Sequence, residues 1–380
     1  MAKNLKNQSL PAWVYHDPDF FALERERIFL NSWQLVCHDS NIPNAGDYVT
    51  FDLLGEMAFV VRGEDGRVRA FHNVCRHRAS RLLPGPSGNC KRIRCPYHAW
   101  GYDLEGNLNN VPFERDFVGF QKEKNALFPV SLGTFEGFHF IRFKGKGPTL
   151  AEVFKPYRTE IKTFRFKDLQ PQGRVSLRTR EVNWKTAIDN YVDALHIEVA
   201  HPGLTGLFGN TYSLEVKGGM HRLGGSIVPT NKETWSVKLY KKYLPKDMPR
   251  KWTYYRVWPN LAFDIYPDQM DFMQFLPLSP TQVELREIAY VWPDARREVK
   301  ACRYLNWRIN RNVNLEDKAL IEGVQAGMGT SRFQSGPLAS REICLIDAAE
   351  QVRKAIPAAK LGEKPAAGRM KKLLEAARHG

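Results

Sequence analysis

The chain has 380 residues, of which 43% are hydrophobic and 26% are charged, and its 56 Lys and Arg against 41 Asp and Glu give a formal charge of +15. This composition excludes wholesale disorder, and the lack of an 18-residue apolar run excludes a membrane-spanning helix. The charge is concentrated in residues 62–94, which carry +7, and in residues 354–380, which carry +5, so the rest of the chain is nearly balanced.

The first segment of the chain predicts a helix. Asp17 can cap it, Pro18 suits its first position, and apolar residues from Phe20 to Trp33 can share or border one face. This segment lacks the apolar core of a signal peptide, which favours a cytoplasmic protein. Six cysteines are too few for a disulfide scaffold, so we expect them to be metal ligands or buried thiols.

Short β-strands follow from about residue 46. Apolar runs bounded by turn signals such as the one at 64–66 are typical of hairpins, so we expect a small β-rich module. A Gly/Lys-rich linker at 144–148 follows it. The predicted strands lie at 48–54, 57–62, 68–74 and 133–143.

The second half of the chain has a different pattern. Residues 181–201 predict a helix, and several strands follow. Two helices come last, at 295–327 and 341–356, and the first of them is long enough to be broken into two pieces. Strands followed by helices indicate an α+β fold in which helices cover an antiparallel sheet. The composition of residues 357–380 is compatible with a mobile tail, although 370–378 has a helical pattern. The predicted strands lie at 212–216, 254–257, 261–265, 270–275 and 283–292.

Two short motifs in the β-rich module mix cysteine with histidine. Cys75 and His77 form a C-x-H motif, and Cys95 and His98 form a C-x-x-H motif. Two thiolates and two imidazoles can hold a two-iron, two-sulfur cluster. A structural zinc site uses the same atoms, but zinc folds usually pair cysteine with cysteine and histidine with histidine. Cys90 is the rival ligand, and because it lacks a histidine at a matching offset we interpret it as a free thiol.

A second group of metal-ligand residue types lies at 189–203. If this segment is one helix, Asp189, Asp193 and His196 fall on one face at i, i+4 and i+7. His201 then points about 140° away, so joint ligation by both histidines requires the helix to bulge or end between them, and Pro202 favours an ending. Two histidines and one carboxylate on one face of Fe(II) leave positions open for oxygen and substrate.

Together these motifs resemble those of Rieske non-haem iron ring-hydroxylating oxygenases, in their large (α) subunit. The resemblance spans nearly the whole chain and is most specific in the strings C-R-H and C-P-Y-H-A-W-G-Y. It implies one [2Fe–2S] cluster and one mononuclear Fe(II) per subunit. The implied cluster ligands are Cys75, His77, Cys95 and His98, and the implied iron ligands are His196, His201 and Asp317.

The third iron ligand lies far along the chain in a predicted helix. Aligning the family's late helix on Gln325 selects Asp317, with Glu316 as the alternative ligand and a solvated charge cluster as the other interpretation. The resemblance also implies that Asp193 bridges the iron ligand His196 and a cluster histidine. The chemistry supports this role, because a metal-bound imidazole keeps its second N–H for a carboxylate.

The resemblance further implies a division of the chain into four parts. We expect an N-terminal helical segment that packs on the catalytic domain, an all-β Rieske [2Fe–2S] domain, a mononuclear iron catalytic domain, and a basic tail. These parts are predicted at 1–40, 41–150, 151–356 and 357–380.

The implied activity is that of the terminal oxygenase component of a multicomponent system. Electrons from NAD(P)H pass through a reductase, with or without a ferredoxin, to the cluster and then to the iron, where O2 is used to hydroxylate an aromatic substrate by mono- or dioxygenation. The alternative is oxidative N- or O-demethylation of a betaine-like or methoxylated substrate. The family forms head-to-tail trimers, with or without a small β subunit, and the resemblance implies neither nucleic acid nor a membrane as partner.

Aromatic residues are dense between 205 and 275. Part of this set could line a pocket for an aromatic ring or cage a quaternary ammonium group, although we expect most of it in the core. The set consists of Phe208, Tyr212, Trp235, Tyr240, Tyr243, Trp252, Tyr254, Tyr255, Trp258 and Phe263.

Two other protein classes fit part of the sequence. A nucleic-acid-binding zinc protein explains the basic residues and the Cys/His set, and a simple electron carrier explains the first motif but leaves residues 151–380 without a role. Because the larger basic patch surrounds the cluster motifs, we interpret it as a docking surface for an acidic electron donor. Its candidates are Arg76, Arg78, Arg81, Lys91, Arg92 and Arg94, of which Arg76 and Arg78 could instead brace the cluster loop.

Overall fold

The computed structural model describes residues 7–145 and 147–379, and the chain forms two compact units. The larger unit consists of Met1–Phe29, Val153–Tyr157 and Asp168–Gly380, and the smaller one of Leu30–Glu152 and Arg158–Lys167. Strands dominate the smaller unit and a sheet with helices forms the larger one, so the predicted α+β class is confirmed. Lys146, in the linker predicted at 144–148, lies outside the described residues.

Three antiparallel sheets form the framework of the smaller unit. Its strands are β1 (Gln34–His38), β2 (Asp47–Leu53), β3 (Glu56–Arg62), β4 (Val68–His72), β5 (Ser87–Asn89), β6 (Ile93–Arg94), β7 (Gly101–Tyr102), β8 (Leu108–Asn110), β9 (Ser131–Phe135) and β10 (Phe138–Arg142). They are ordered β1-β10-β9, β4-β3-β2-β5 and β6-β7-β8. The strands predicted at 48–54, 57–62 and 68–74 correspond to β2, β3 and β4.

The smaller unit begins earlier than the boundary predicted at 40/41. Gln34 in β1 pairs with Ile141 in β10, so the backbone of the first strand is satisfied only within this unit. Leu35 and Val36 are fully buried there. The segment that groups with the larger unit therefore ends at Phe29.

One seven-stranded antiparallel sheet is the centre of the larger unit. Its strands are β11 (Gln170–Arg180), β12 (Ser213–Lys217), β13 (Met220–Ser226), β14 (Lys251–Val257), β15 (Leu261–Ile265), β16 (Met270–Ser279) and β17 (Gln282–Val291). The order across the sheet is β11-β17-β16-β15-β14-β13-β12. All five predicted strands are present, whereas β11 and β13 were not predicted, because exposed side chains in β11 and glycines in β13 hide the alternation of a strand.

Helices precede, interrupt and follow this sheet in the chain. They are α1 (Pro18–Glu24), α2 (Leu150–Phe154), α3 (Arg158–Thr163), α4 (Trp184–Val192), α5 (Ile197–Ala200), α6 (Pro202–Phe208), α7 (Trp235–Tyr243), α8 (Arg297–Met328), α9 (Ile343–Ala355) and α10 (Ala367–His379). The helix predicted at 295–327 is the unbroken 32-residue helix α8. Within the described part of the chain, no helix is long and apolar enough to cross a membrane.

Both ends of the chain fold onto the larger unit. The carboxylate of Asp17 accepts a hydrogen bond from the Phe20 N–H at 2.8 Å, so the predicted cap of α1 is present. Within the tail predicted at 357–380, the helical pattern noted at 370–378 corresponds to the helix α10, whose Met370 is buried. Lys364 fixes the start of this segment by binding Asp17 at 2.5 Å and Asp19 at 2.9 Å.

Candidate metal centres

Two loops of the smaller unit carry the predicted cluster ligands and share one backbone conformation. The N–H of Cys75 donates to the carbonyl oxygen five residues later at 2.8 Å, and the N–H of Ala79 donates back to Cys75 at 3.1 Å. The loop at Cys95 repeats both bonds at the same distances, with Ala99 in the place of Ala79. Both alanines have positive φ, 56° and 59°, a conformation that costs about 1 kcal/mol outside glycine and is concentrated at ligand-binding sites.

The four predicted cluster ligands lie on these two loops. The rings of His77 and His98 lie 4.6 Å apart, and Cys75 and Cys95 are 3% and 2% exposed. Burial opposes ionisation of both thiols and raises the pKa of Cys75. The pKa of Cys95 is nevertheless lowered, because the backbone N–H groups of His98 and Tyr97 stabilise its thiolate.

One buried nitrogen supports a metal at this position. Within the described residues, Nδ1 of His77 is buried without a hydrogen-bond partner, while the ring stacks on Trp100 at 4.9 Å. A buried nitrogen without a partner is costly unless it binds a metal or an ion. The donor set of two thiols and two imidazoles therefore fits a [2Fe–2S] cluster. We still interpret Cys90 as a free thiol outside this set, and its backbone N–H donates to the carbonyl oxygen of Gly46 at 3.0 Å.

Tyr102 is a residue of this site that sequence reasoning did not identify. Its hydroxyl lies 3.4 Å from Sγ of Cys75 and accepts a hydrogen bond from the Arg76 N–H at 3.1 Å. Burial raises its pKa, so the hydroxyl stays protonated and can donate to the cysteine sulfur. Tyr102 ends the string that carries the family resemblance, but the spacing alone does not predict this contact.

The six basic candidates for a docking surface differ in their contacts. Arg76 donates to the carbonyl oxygen of Ala126 at 2.6 Å and lies 3.7 Å over the ring of Phe128, so it braces its loop. Arg81 pairs with Asp52 at 2.7 Å. The candidates that expose their charge without an ion pair in the described part of the chain are Arg78, Lys91, Arg92 and Arg94, of which Arg78 lies over the ring of Tyr97.

The predicted iron ligands of the larger unit follow the end of α4. Asp193 caps this helix with an extended backbone (ψ 135°), and its carboxylate accepts the N–H groups of Leu195 at 2.8 Å and His196 at 3.3 Å. The single helix predicted over 181–201 is therefore wrong, and so is the shared helical face of Asp189, Asp193 and His196. The carboxylate satisfies the next backbone N–H groups and stops the helix three residues before His196.

Three predicted ligands converge in spite of this break. Ligand atoms of His196, His201 and Asp317 all lie within 4.8 Å of one another. Oδ1 of Asp317 lies 3.1 Å from Nε2 of His201 and 3.5 Å from Nε2 of His196. The two Nε2 atoms are 3.1 Å apart. This donor set fits an Fe(II) site with two histidines and one carboxylate.

Each histidine has a carboxylate at its other ring nitrogen. Nδ1 of His196 lies 3.0 Å from Asp193, and Nδ1 of His201 lies 2.7 Å from Glu316. A carboxylate can only accept here, so both Nδ1 atoms carry a proton, and Nε2 is the atom of each ring that would bind a metal. Asp317 thus lies beside Nε2 of both histidines, and Glu316 lies on the opposite side of His201.

Asn190 is a second residue that sequence reasoning did not identify as part of the site. Its amide nitrogen donates to Oδ1 of Asp317 at 3.0 Å and lies 3.2 Å from Nε2 of His196. It belongs to the last turn of α4, before Asp193. Asn190 stands three residues before Asp193 and six before His196, and this spacing is the signal that could have found it.

Burial and opposite charges together determine the ionisation of this site. Burial disfavours every charge, but Asp193 and Asp317 overcome it and raise the pKa of His196 to about 9. The pKa of His201 is likewise raised by Asp317 and Glu316, although burial opposes the shift. The pKa of Asp317 is lowered, because its contacts with the two histidines outweigh its burial.

Gln325 fixes the position of α8 against α4. Its side-chain oxygen accepts hydrogen bonds from the Asn183 N–H at 2.8 Å and the Thr186 hydroxyl at 3.0 Å. Its amide nitrogen donates to the carbonyl oxygen of Tyr15 at 3.2 Å. Gln325 follows Asp317 by eight residues on one continuous helix. These bonds therefore set the position of Asp317, along the axis of α8, relative to the histidines.

A cavity of about 1010 Å³ lies beside the three converging ligands, all of which line it. Of the ten aromatic residues singled out in the sequence, only Tyr212 and Tyr254 line this cavity. Others, such as Trp252 and Tyr255, are fully buried in the core, as expected for most of the set. The remaining cavity wall includes carboxylates on β15, β16 and β17.

Comparisons with known families cover both units. A family model described as ring hydroxylating alpha subunit (catalytic domain) matches residues 166–358, and one described as Rieske [2Fe-2S] domain matches residues 32–127. These matches imply a Rieske cluster in the smaller unit and a mononuclear iron in the larger one, in agreement with the two donor sets described above.

Similar proteins include oxygenases of two kinds. The carnitine monooxygenase oxygenase subunit of Escherichia coli (strain K12) is 37% identical over 199 residues, which are 52% of this chain and 53% of that protein. The large oxygenase component of a Ralstonia naphthalene 1,2-dioxygenase system is 36% identical over 198 residues, 50% of this chain and 43% of that protein. The chain thus aligns with about half the length of these relatives.

Solved structures show the same fold over nearly the whole chain. The structure of a quaternary ammonium Rieske monooxygenase superposes with a TM-score of 0.81 and covers 93% of this chain and 97% of that one. At 24% identity this likeness shows the fold alone.

Proposed function

The chain belongs to the family of ring-hydroxylating oxygenase α subunits, and we propose that it is the terminal oxygenase component of a multicomponent Rieske oxygenase. The observation that carries the proposal is the convergence of His196, His201 and Asp317 beside a cavity large enough for a small organic substrate. When bound, the mononuclear iron would activate O2 with electrons supplied through the cluster.

Residues of this chain would hold the three metal ligands in place and orient them. Asp193 and Glu316 fix the ring orientation of the two histidines by accepting from their Nδ1 atoms. Asn190 holds Oδ1 of Asp317 through its amide nitrogen. These contacts keep three donors on one side of the metal position and leave the cavity side for substrate and oxygen.

Electrons would pass between subunits of a head-to-tail homotrimer. Asp193 would connect His196 to His98 of the partner subunit, because its carboxylate already binds one metal-site histidine and keeps about a fifth of its side chain exposed. The structural relative is described as transferring electrons between subunits, which supports this route. The electrons would come from NAD(P)H through a reductase, with or without a ferredoxin.

The proposed reaction is monooxygenation of a quaternary ammonium compound, the second of the two reactions expected from the sequence. One oxygen atom would enter a C–H bond of the substrate, and the other would leave as water with two electrons and two protons. The carnitine monooxygenase relative and the carboxylates in the cavity wall support this choice. Hydroxylation of an aromatic ring is the second candidate, supported by the naphthalene dioxygenase relative.

Metal analysis and oxygen uptake test the proposal. We expect about three iron and two acid-labile sulfide per chain, with the visible spectrum of a Rieske cluster. With a surrogate reductase and NADH, oxygen uptake should rise on addition of L-carnitine, choline or glycine betaine, with stoichiometric product. A colourless zinc protein would contradict the proposal. Uptake and product with naphthalene alone would favour the second candidate.

A further inference from the structure

A row of side chains crosses the sheet of the larger unit on the face that lines the cavity. Tyr254 in β14 pairs with Asp264 in β15, Asp264 pairs with Asp271 in β16, and Asp271 pairs with Ala289 in β17. All four residues line the cavity. Directly paired residues of antiparallel strands have Cβ atoms about 4.5–5.5 Å apart. Two carboxyl groups are therefore held side by side in the cavity wall.

Neither carboxyl group has a cationic partner among the described residues. The Tyr191 hydroxyl donates to Asp264, and the Gln269 side-chain nitrogen donates to Asp271 at 3.0 Å. Both donors are neutral, so they satisfy hydrogen bonds without balancing charge. The sheet wall therefore keeps two acidic groups available to a cation in the cavity.

The other charged groups of the cavity do not pair with Asp264 or Asp271 in the described part of the chain. Glu287 pairs with Arg178. Arg303 donates to the carbonyl oxygens of Asp268 at 3.1 Å and Trp292 at 2.7 Å. The exposed cations Arg174, Lys300 and Arg311 also line the cavity. Among the residues that the structure describes, none of these cations forms an ion pair with Asp264 or Asp271.

The hydroxyl of Tyr254 points to a ligand independently of the acidic pair. This side chain is only 8% exposed and lines the cavity, yet its hydroxyl has no hydrogen-bond partner in the described part of the chain. The rings of Tyr212 and Tyr266 lie 6.5 Å and 6.2 Å from the Tyr254 ring. The acidic pair is thus bordered by aromatic rings, whose faces attract cations.

Ionisation of this pair is unfavourable while no cation is bound. Burial raises the pKa of Asp264 to about 7, and burial together with Asp264 raises the pKa of Asp271 well above its usual range. Like charges directly opposite on neighbouring strands are destabilising. Costly arrangements of this kind persist mainly at functional sites. A bound organic cation would offset both the burial and the repulsion.

We propose that Asp264 and Asp271, together with the rings of Tyr254 and Tyr212, form a subsite that binds the quaternary ammonium group of the substrate. The inference rests on the proposed function and assigns residues to its substrate specificity. A quaternary ammonium group has no N–H to donate, so its recognition must come from charge and aromatic faces. An uncharged molecule of the same shape lacks the Coulomb attraction.

Calorimetric titration with choline and its uncharged isostere 3,3-dimethylbutan-1-ol tests this subsite. The oxidised holoenzyme is used without reductase, so no turnover is required. We expect choline to bind at least 10-fold more tightly than the isostere. Equal affinities within twofold would overturn the proposal. Displacement of choline by millimolar Ca²⁺ at constant ionic strength would also overturn it, because it would indicate a metal site.

Variants in which an uncharged side chain replaces one carboxyl group show which residues bind the ammonium group of choline. Asp271→Asn and Asp264→Asn should each weaken choline binding at least 10-fold and leave the affinity for the isostere within twofold. Glu284→Gln is the matched control, because it removes a carboxylate from β17 that does not line the cavity. If one Asp variant lacks the cluster spectrum and fails to fold, the other Asp variant and Tyr254→Leu, which removes an aromatic face and should weaken choline binding, decide the question. Unchanged choline binding in the folded variants would overturn the assignment.

Failure of the proposed subsite and failure of the proposed function would give different experimental results. If iron analysis and oxygen uptake show an oxygenase but choline binds no better than its isostere, the subsite is wrong and the oxygenase assignment stands. If the chain lacks the cluster or the mononuclear iron, the function fails whatever the titration shows.

Discussion

The carboxylate of Glu316 lies 2.7 Å from Nδ1 of His201, on the side of the ring opposite to the nitrogen that faces Asp317. Two adjacent acidic residues of α8 thus contact the two nitrogens of one imidazole. We propose that Asp317 is the iron ligand, whereas Glu316 orients the ring and holds the proton on Nδ1. The pair cannot exchange roles without turning the histidine.

Replacing these two acids should separate ligation from orientation. Asp317→Ala should leave about two iron and two sulfide per chain, because the cluster persists while the mononuclear iron is lost. Glu316→Gln should retain the third iron with affinity reduced about 10–100-fold. Iron and sulfide analysis after dialysis against a graded chelator measures both. The reverse pattern, with iron lost only in the Glu316 variant, would make Glu316 the ligand.

Tyr102 should raise the reduction potential of the cluster. Its hydroxyl lies 3.4 Å from Sγ of Cys75, and a donor to sulfur stabilises the more negative, reduced state. A hydrogen bond to a charged group contributes about 1.5–3 kcal/mol, so Tyr102→Phe should lower the potential by roughly 60–130 mV. Protein-film voltammetry measures the shift, and His72→Gln serves as a control in the neighbouring strand β4. An unchanged potential would show that the contact does not tune the cluster.

The basic surface near the cluster should control the rate of reduction by the donor. Lys91, Arg92 and Arg94 expose charge without an ion pair among the described residues, whereas Arg81 pairs with Asp52. The double variant Arg92→Glu/Arg94→Glu should slow reduction by an acidic donor at least 10-fold at low salt and flatten its salt dependence. Stopped-flow absorbance of the cluster measures the rate. Arg81→Gln is the control, and an equal loss in that variant would contradict docking at Lys91, Arg92 and Arg94.

Removing the charge of Asp264 should stabilise the protein at alkaline pH. Its pKa is raised by burial to about 7 from 3.8, so as pH rises between these values the unfolded state loses its proton first and stability falls. Asp264→Asn cannot ionise, and it should unfold at a higher temperature than the wild type at pH 8, with a gain of about 1–3 kcal/mol that shrinks toward pH 5. Scanning calorimetry at both pH values measures this. A gain that is independent of pH would point to packing rather than ionisation.

Motifs with local spacing were the part of the site that the sequence predicted best. Cys75, His77, Cys95 and His98 lie on two loops with the same backbone hydrogen bonds, so short spacing was enough to group them. Asp317 was selected only by alignment on Gln325, which anchors α8 to α4 in the structure. Contacts that depend on tertiary packing, such as those of Tyr102 and Asn190, were not predicted.

The main error concerned local structure around the iron ligands. The polar pattern at 189–196 matches a helical face, but the Asp193 carboxylate binds the N–H groups of Leu195 and His196 and ends α4. Periodicity cannot distinguish a polar helical face from a capping carboxylate, because both place a short acidic side chain at the same spacing. The proposed subsite for the quaternary ammonium group was likewise not predicted, since it forms only when β15 and β16 pair Asp264 with Asp271.

Single-turnover kinetics of Asp193→Asn tests the central claim most directly, namely that the cluster delivers electrons to the iron held by His196, His201 and Asp317. The reduced protein with substrate is mixed with O2, and reoxidation of the cluster is followed by its absorbance together with product formation. We predict that Asp193→Asn keeps both iron centres and its cluster potential but reoxidises at least 100-fold more slowly and forms no product. Reoxidation and product formation at the wild-type rate would contradict the account.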